Sequence, residues 1–339
     1  MKPPVQSPSE LAERLGLSRW TVSRALNGQP GVNPATAERV REEARKAGFA
    51  PSILGRALRS GKTDLIGVIA PDLEDYHLTR KITVLRDLIE EAGWHGLFQI
   101  TDSSPKSERD ALERLSAMRC TGVISIGSAL RQNEIGFTRL TSAGLPVVMI
   151  DPWEFDGERL ALSDRAAALS LTLKHLYDLG HRRFGVLGID TTTSYGQQRM
   201  RGIQKTSQKL GLNPDQDLAF FSKDSAGDDF ETGADLTKNL LATKKKLPTA
   251  IIALNDRTAL GALSVLHERG IRVPEEISLT GYDNTDFSAF TTPALTSVDP
   301  QPSKLVHAAM DLLLDPEPGR RLIAPKIIIR KSTALVRKH

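Results

Sequence analysis

From residue 65 onward, short apolar runs alternate with longer amphipathic ones, and this rhythm constrains the fold more than any other feature. The apolar runs stand at 65–70, 96–100, 123–126, 147–150, 184–187, 218–221, 250–254 and 277–281. Helical stretches at 82–92, 108–118, 166–179, 199–210 and 256–269 separate them. Strand–helix alternation of this kind predicts doubly wound parallel sheets with helices on both faces. Eight strands in two groups predict two lobes, and a further strand is expected at 326–330. The turn-rich, acidic segment 151–162 is expected to be one crossing between lobes, and Asp299-Pro300-Gln301-Pro302 and Asp315-Pro316-Glu317-Pro318-Gly319 two more. Ligands of such sheets bind at the carboxyl ends of the strands, so two facing lobes would hold one in the cleft between them.

The 339 residues are 40% hydrophobic and 25% charged, as in ordinary globular proteins. No apolar run approaches the roughly 18 to 20 residues of a membrane span, and MKPPVQSPSE has no signal-type apolar core, so a cytoplasmic location is expected. The single cysteine, Cys120, reads as an apolar filler; no metal site or cofactor is expected. Charge is uneven. Residues 1–62 carry eleven Lys/Arg and five acids, a net +6, while the remainder is −2. A basic head on a slightly acidic body is the electrostatic footprint of nucleic-acid binding.

That head contains three short helical patterns. Ser9 is expected to cap the first, with Leu11 and Leu15 on one face and Gly16 ending it. Ser18 caps the second, whose Val22 and Leu26 face inward while Arg19, Trp20, Ser23, Arg24 and Asn27 face outward. Asn33-Pro34 opens the third. Two short helices joined by Gly16-Leu17 make a helix-turn-helix, which lays its second helix in the major groove. Arg19 or Arg24 is expected to pair with guanine, and Trp20 to pack on a thymine methyl or on sugar–phosphate, with Ser18 and Thr21 beside them.

Several predicted strands of the body end in polar residues. Asp151, Asn255, Asp256 and Asp283 could meet the vicinal hydroxyls of a sugar or nucleoside, although Asp256 could equally cap its helix. Arg199 offers a planar fork for paired oxygens, and Trp153 and Tyr195 either stack on a ligand ring or pack the lobes together. Nothing in the spacing of these carboxylates supplies an acid–base pair around a scissile bond. The chain also lacks a Walker loop, a Gly-x-Gly-x-x-Gly after its first strand, a His-Glu-x-x-His and a nucleophile elbow, so no enzyme is expected. A periplasmic sugar carrier would need an export signal and no basic head. A small-molecule binding protein without a regulatory role is the remaining alternative.

The segment Leu17-Ser18-Arg19-Trp20-Thr21-Val22-Ser23-Arg24-Ala25-Leu26-Asn27 resembles the recognition segment of the lactose-repressor/galactose-repressor (LacI/GalR) family of bacterial transcription regulators. Similar matches recur at Val32-Asn33-Pro34-Ala35-Thr36, Gly55-Arg56-Ala57-Leu58-Arg59-Ser60-Gly61, Ile66-Gly67-Val68-Ile69, Gly180-His181-Arg182-Arg183, Arg199-Met200-Arg201-Gly202, Asn255-Asp256-Arg257 and Thr280-Gly281-Tyr282-Asp283. They cover nearly the whole chain in order. The resemblance implies a head at 1–50, a hinge at 51–61 with a helix at 52–59, and an effector-binding and dimerisation domain at 62–339. Within the latter, lobe one is expected at about 62–160 plus 300–316 and lobe two at about 161–299 plus 320–339. It makes Leu58 a minor-groove wedge and Arg199 the principal ligand arginine, with Asp75 and His77 also lining the effector site. Gly55 stands where the family carries alanine.

Function follows as an expectation: a homodimer on a pseudo-palindromic operator, released by a small sugar-like effector of a carbohydrate catabolic operon. The alternative is activation by a nucleobase, nucleoside or sugar phosphate acting as corepressor. No heptad tail follows the last strand, so a dimer is expected in place of a tetramer. The usual Asn-Pro and two aromatics give way to Asp75-Tyr76-His77-Leu78, and the usual arginine-glutamine to Asp299-Pro300, so no particular effector is transferred.

Overall fold

The structure, a computed structural model, describes residues 5, 7–49, 63–71, 76–130, 141, 144–153, 157–222, 229–243 and 246–336. The hinge helix, Leu58 and Asp75 lie outside the described residues. Spatial clustering divides the chain into two compact units, Met1–Asp64 with Arg119–Thr121 and Leu65–Met118 with Gly122–His339.

In the first unit, α1 (Pro8–Leu15), α2 (Arg19–Leu26) and α3 (Pro34–Lys46) enclose a small core of Leu11, Ala12, Val22, Ala25, Val40 and Ala44. The first cap is Ser7, not Ser9: its side chain accepts from the Glu10 amide, which leaves Pro8 at the first helical position where its missing N–H costs nothing. Gly16, at φ +65°, turns the chain out of α1. The Ser18 hydroxyl accepts the Thr21 amide at 3.0 Å and the Asn33 side-chain Oδ1 the Ala35 amide at 2.9 Å, starting α2 and α3.

In the second unit, twelve described strands form two six-stranded sheets. The first runs β11-β5-β4-β3-β1-β2 and is parallel throughout: β1 (Leu65–Ala70), β2 (His95–Ile100), β3 (Gly122–Ile126), β4 (Val147–Ile150), β5 (Arg159–Ser163) and β11 (Gly319–Ile323). The second runs β12-β10-β9-β8-β6-β7: β6 (Phe184–Leu187), β7 (Leu218–Phe221), β8 (Ala250–Ala253), β9 (Ser278–Tyr282), β10 (Thr296–Asp299) and the antiparallel edge β12 (Lys326–Ile328). The first lobe carries α4 (Tyr76–Glu91), α5 (Pro105–Ala117) and α10 (Pro302–Leu314). The second carries α6 (Arg165–Asp178), α7 (Ser194–Lys209), α8 (Phe230–Leu241) and α9 (Asp256–Glu268). Apolar faces of α4 and α10, including Leu85, Ile89, Leu305, Ala309 and Leu313, close over Ile66, Val68, Ile124 and Ile150. The second sheet is covered on one face by α6 and α7 and on the other by α8 and α9.

Three strands escaped the hydrophobic pattern. β5 and β11 carry arginines, because Arg159 is held by backbone: its guanidinium donates to the carbonyls of Leu312, Asp315, Pro316 and Glu317 at 2.7–3.0 Å. β10 is polar but buried, its Ser297 and Thr296 satisfied by neighbouring side chains. These strands move the crossings. Residues 159–163 belong to the first sheet, so the chain changes lobe at Asp164; the 315–319 turn stays within lobe one, and the last crossing falls between Ile323 and Lys326. The crossing at 299–302 is as expected. No described helix is long and apolar enough to cross a membrane, and Cys120 is buried with its thiol pushed up to about 11 by burial.

Candidate functional site

On α2, Arg19 and Trp20 stand exposed, Trp20 by 58% of its surface. Ser18 is occupied as the helix cap and shares a 2.8 Å hydrogen bond with the Thr21 hydroxyl. Asn27 folds back, donating from Nδ2 to the Ser23 carbonyl at 2.6 Å. Arg24 turns toward the Pro30 carbonyl, which its Nε reaches at 2.8 Å. The outward face therefore offers Arg19 and Trp20 directly.

In the body, strand ends and helix N-termini of both lobes meet. Asp151 follows β4 at φ +47° and is 3% exposed. Its carboxylate accepts from Lys81 Nζ at 2.9 Å, the Arg165 guanidinium at 3.1 Å, the Ser163 amide at 2.8 Å and the Ser163 hydroxyl at 3.0 Å. Burial opposes its charge, but the Arg165 and Lys81 cations outweigh it and hold the carboxyl well below the usual range. Its backbone carbonyl accepts the Tyr195 hydroxyl, and Arg165 stacks 3.9 Å over the Tyr195 ring. Asp151 and Tyr195 thus join the lobes, and the donors from Lys81, Arg165 and Ser163 occupy the Asp151 carboxylate.

Asp256 is also spent internally. It is fully buried and accepts the Thr285 amide, the Thr285 hydroxyl and the Ser288 and Ser297 hydroxyls at 2.6–2.8 Å. Burial raises its pKa against the pull of these donors. Gly281 is required beside it, since a Cβ there would stand 2.2 Å from the Asp256 carboxylate. The cap of α9 is Asn255, whose side chain accepts the Thr258 amide at 2.7 Å. Asp256 is therefore neither cap nor ligand contact but the tie that fixes the loop after β9.

That loop presents Asp283 at φ +98°, its carboxylate 3.6 Å from His77 Nδ1 of the opposite lobe, both side chains 18% exposed. Burial, with the nearby Lys81 cation, drops the His77 pKa well below its ordinary value, so the imidazole is neutral at pH 7. Arg199 lies 5.5 Å over the Tyr282 ring, and Trp153, half exposed, accepts the Ser194 hydroxyl at its carbonyl. At the mouth, the Tyr76 hydroxyl donates to Asp286, and the rings of Tyr76, Phe287 and Phe230 succeed one another at 6.4 and 6.5 Å. Among the described expected residues, His77, Asp283, Arg199 and Trp153 border the cleft. Lys81, Arg165, Tyr282 and the Tyr76–Phe287–Phe230 series were missed. Lys81 carried a signal, since it shares the inward face of α4 with Leu85 and Ile89, four and eight residues on. A hollow of about 370 Å³, lined by Leu263, His267, Ile271 and Pro293, sits at the amino ends of the strands, opposite the cleft.

A helix-turn-helix on the same chain as two largely parallel sheets that face each other across a polar cleft defines a ligand-sensing DNA-binding regulator. Residues 9–52 match the model of bacterial regulatory proteins of the lacI family, and residues 173–333 a periplasmic binding protein-like domain. The HTH-type transcriptional repressor PurR of Haemophilus influenzae strain Rd is 30% identical over 338 residues, covering 95% of this chain and 97% of that one. A LacI family transcriptional regulator from Silicibacter pomeroyi superposes with a TM-score of 0.75 at 27% identity, covering 98% of this chain and 100% of the other. The lac repressor, solved as a dimer bound to operator and the anti-inducer ONPF, shares the fold with a TM-score of 0.83 at 23% identity over 98% and 99% of the chains. The chain belongs to the lacI family of bacterial regulatory proteins and is a DNA-binding transcription regulator, not an enzyme.

Proposed function

We propose that this chain acts in the cytoplasm as a homodimer that occupies a pseudo-palindromic operator and responds to a small polar ring bound between its lobes. The observation that carries this reading is the His77–Asp283 meeting, in which one neutral donor–acceptor and one carboxylate from opposite lobes approach across the cleft. A sugar-like ring with adjacent hydroxyls suits that pair, because a carboxylate accepts two hydroxyl protons while the imidazole takes or gives a third. Arg199 and Trp153 support the same occupant from the cleft wall. Binding that changes lobe closure would change the spacing of the two heads and so operator affinity.

A flat nucleobase or nucleoside is the second reading, favoured by the Tyr76–Phe287–Phe230 series at the mouth. Thermal-shift screening against sugars, sugar acids, nucleosides and sugar phosphates separates the two, since a ligand of the folded state raises Tm. Fluorescence anisotropy with operator duplex then reads the sign of the response. A stabilising compound that leaves operator affinity unchanged in both the wild type and Asp283→Ala would defeat the cleft as the regulatory site.

A further inference from the structure

Asp151 has more positive charge around it than one carboxylate needs. Lys81 of α4 and Arg165 of α6 both donate to it, at 2.9 and 3.1 Å, so two cations share one acid. All three side chains are buried, with 3%, 9% and 4% of Lys81, Arg165 and Asp151 exposed. Neither cation has a second carboxylate within ion-pairing distance among the described residues. His77, one turn before Lys81, is neutral and leaves the excess as it is. Donors are in excess too. An ammonium has three N–H groups and a guanidinium five, yet among the described residues the Lys81 and Arg165 side chains each make one hydrogen bond, to Asp151. The Tyr195 ring covers a face of the Arg165 guanidinium at 3.9 Å and leaves its edge open. At the end of β9, Tyr282 is 6% exposed, and its hydroxyl has no hydrogen-bond partner among the described residues. The charges of Arg165, Arg199, Asp283 and Asp151 all bear on that hydroxyl. Buried donors are ordinarily met, so this corner of the cleft lacks an acceptor.

We propose that the effector is a sugar acid, whose single carboxylate is received by Lys81, Arg165 and Tyr282 while its hydroxyls meet His77 and Asp283. The inference rests on the reading of a sugar-like ring between the lobes and names the chemical class of that ring. One negative charge brings the group of Lys81, Arg165 and Asp151 to neutrality, and a carboxylate accepts from several donors at once through its two oxygens. A neutral sugar would leave one buried cation without a counter-charge. A phosphate monoester, with close to two negative charges at pH 7, would exceed the one that is missing. Lys81 is then the residue that sets specificity, because without it Asp151 and Arg165 form a balanced pair that calls for no further charge.

The test is titration calorimetry on the full chain with D-glucuronate and D-galacturonate, each beside its uronamide and its parent sugar, and with glucose 6-phosphate and adenosine. One uronate should bind about 10-fold or more tighter than its uronamide, the margin of a charge-assisted over a neutral hydrogen bond. The uronamide keeps the shape of the acid and removes only its charge, so this ratio needs no variant. In Lys81→Met the preference should fall below about 2-fold, and in Lys81→Arg, which restores the cation, it should return. Near-UV circular dichroism checks that both variants keep a packed body. If a uronamide or parent sugar binds as tightly as its uronate, or glucose 6-phosphate binds more tightly than either uronate, the proposal falls and the sugar-like reading stands. An undiminished uronate preference in a folded Lys81→Met would likewise overturn it, since the charge would then be read elsewhere. If none of the sugars and acids binds, whether or not adenosine does, the sugar-like reading falls with it.

Discussion

Asp151 and Asp283 occupy matching places in the two lobes and have opposite characters. Each follows a parallel strand, β4 or β9, and each adopts a left-handed backbone conformation, at φ +47° and +98°. Asp151 is buried and saturated by Lys81, Arg165 and Ser163. Asp283 remains partly accessible and faces a neutral imidazole from the other lobe. An acid at a strand end is therefore a place in the fold, and its role is decided by what the surrounding elements aim at it. The donors on Asp151 make it a joint between lobes; the partial exposure of Asp283 beside His77 of the opposite lobe suits it to a ligand.

The strongest way to break this comparison is Asp151→Ala. It leaves Lys81 and Arg165 buried without their counter-charge, and loss of one side of a buried ion pair costs about 3–5 kcal/mol. Chemical denaturation should report a loss of that size in the body. A loss under about 1 kcal/mol would mean that water or another acid already compensates the two cations. Asp256→Ala should cost less, about 1–3 kcal/mol, because the donors it strands are a backbone amide and hydroxyls, and the Thr285 and Ser288 hydroxyls can still pair at 2.8 Å. Its effect should appear in denaturation without any change in ligand selectivity.

How far these roles could be read from the sequence depends on the range of the interactions. The head was legible nearly to the residue, because caps and a three-helix core are local: Ser18, Asn33, Val22 and Val40 do in space what their spacing implies. The alternating sheets were legible for the same reason, apart from β5, β10 and β11. Those strands hold polar residues whose partners lie more than thirty residues away, such as Arg159 on Leu312 and Ser297 on Asp256. Within the cleft, residue type at a strand end singled out Asp151, Asp256 and Asp283 alike. The partners that separate them, Lys81, Arg165, Ser288 and Ser297, are brought near by topology and leave little trace in local pattern.

Asp283→Ala sharpens the contrast from the other side. Because its side chain is partly accessible to water, its stability should shift by about 1 kcal/mol or less, well under the loss at Asp151. The response to whichever compound raises Tm should fall by the coupling at stake, about 1–3 kcal/mol or roughly 5- to 150-fold in operator affinity. Anisotropy titration checks this, and an unchanged response would move the effector contact to Arg199 or to the mouth.

The smallest effect concerns the imidazole between these two acids. His77 is kept neutral by burial and by Lys81, with Asp151 pulling the other way and the Arg165 and Arg80 cations adding to Lys81. Asp283 faces it at 3.6 Å. A folded-state pKa below the ordinary 6.5 means that the unfolded chain takes up the proton first, so stability present above pH 6.5 is lost as pH falls below it. The slope is at most about 1.4 kcal/mol per pH unit for one such group. Between pH 7.5 and 5.5 the wild type should therefore lose about 1 kcal/mol more than His77→Gln, which cannot titrate. His175 and His181, also lowered by burial, contribute equally to both proteins and cancel in the difference. If the two stability curves run parallel, His77 is already solvated enough to charge freely, and the cleft beside Asp283 is more open than the 3.6 Å approach implies.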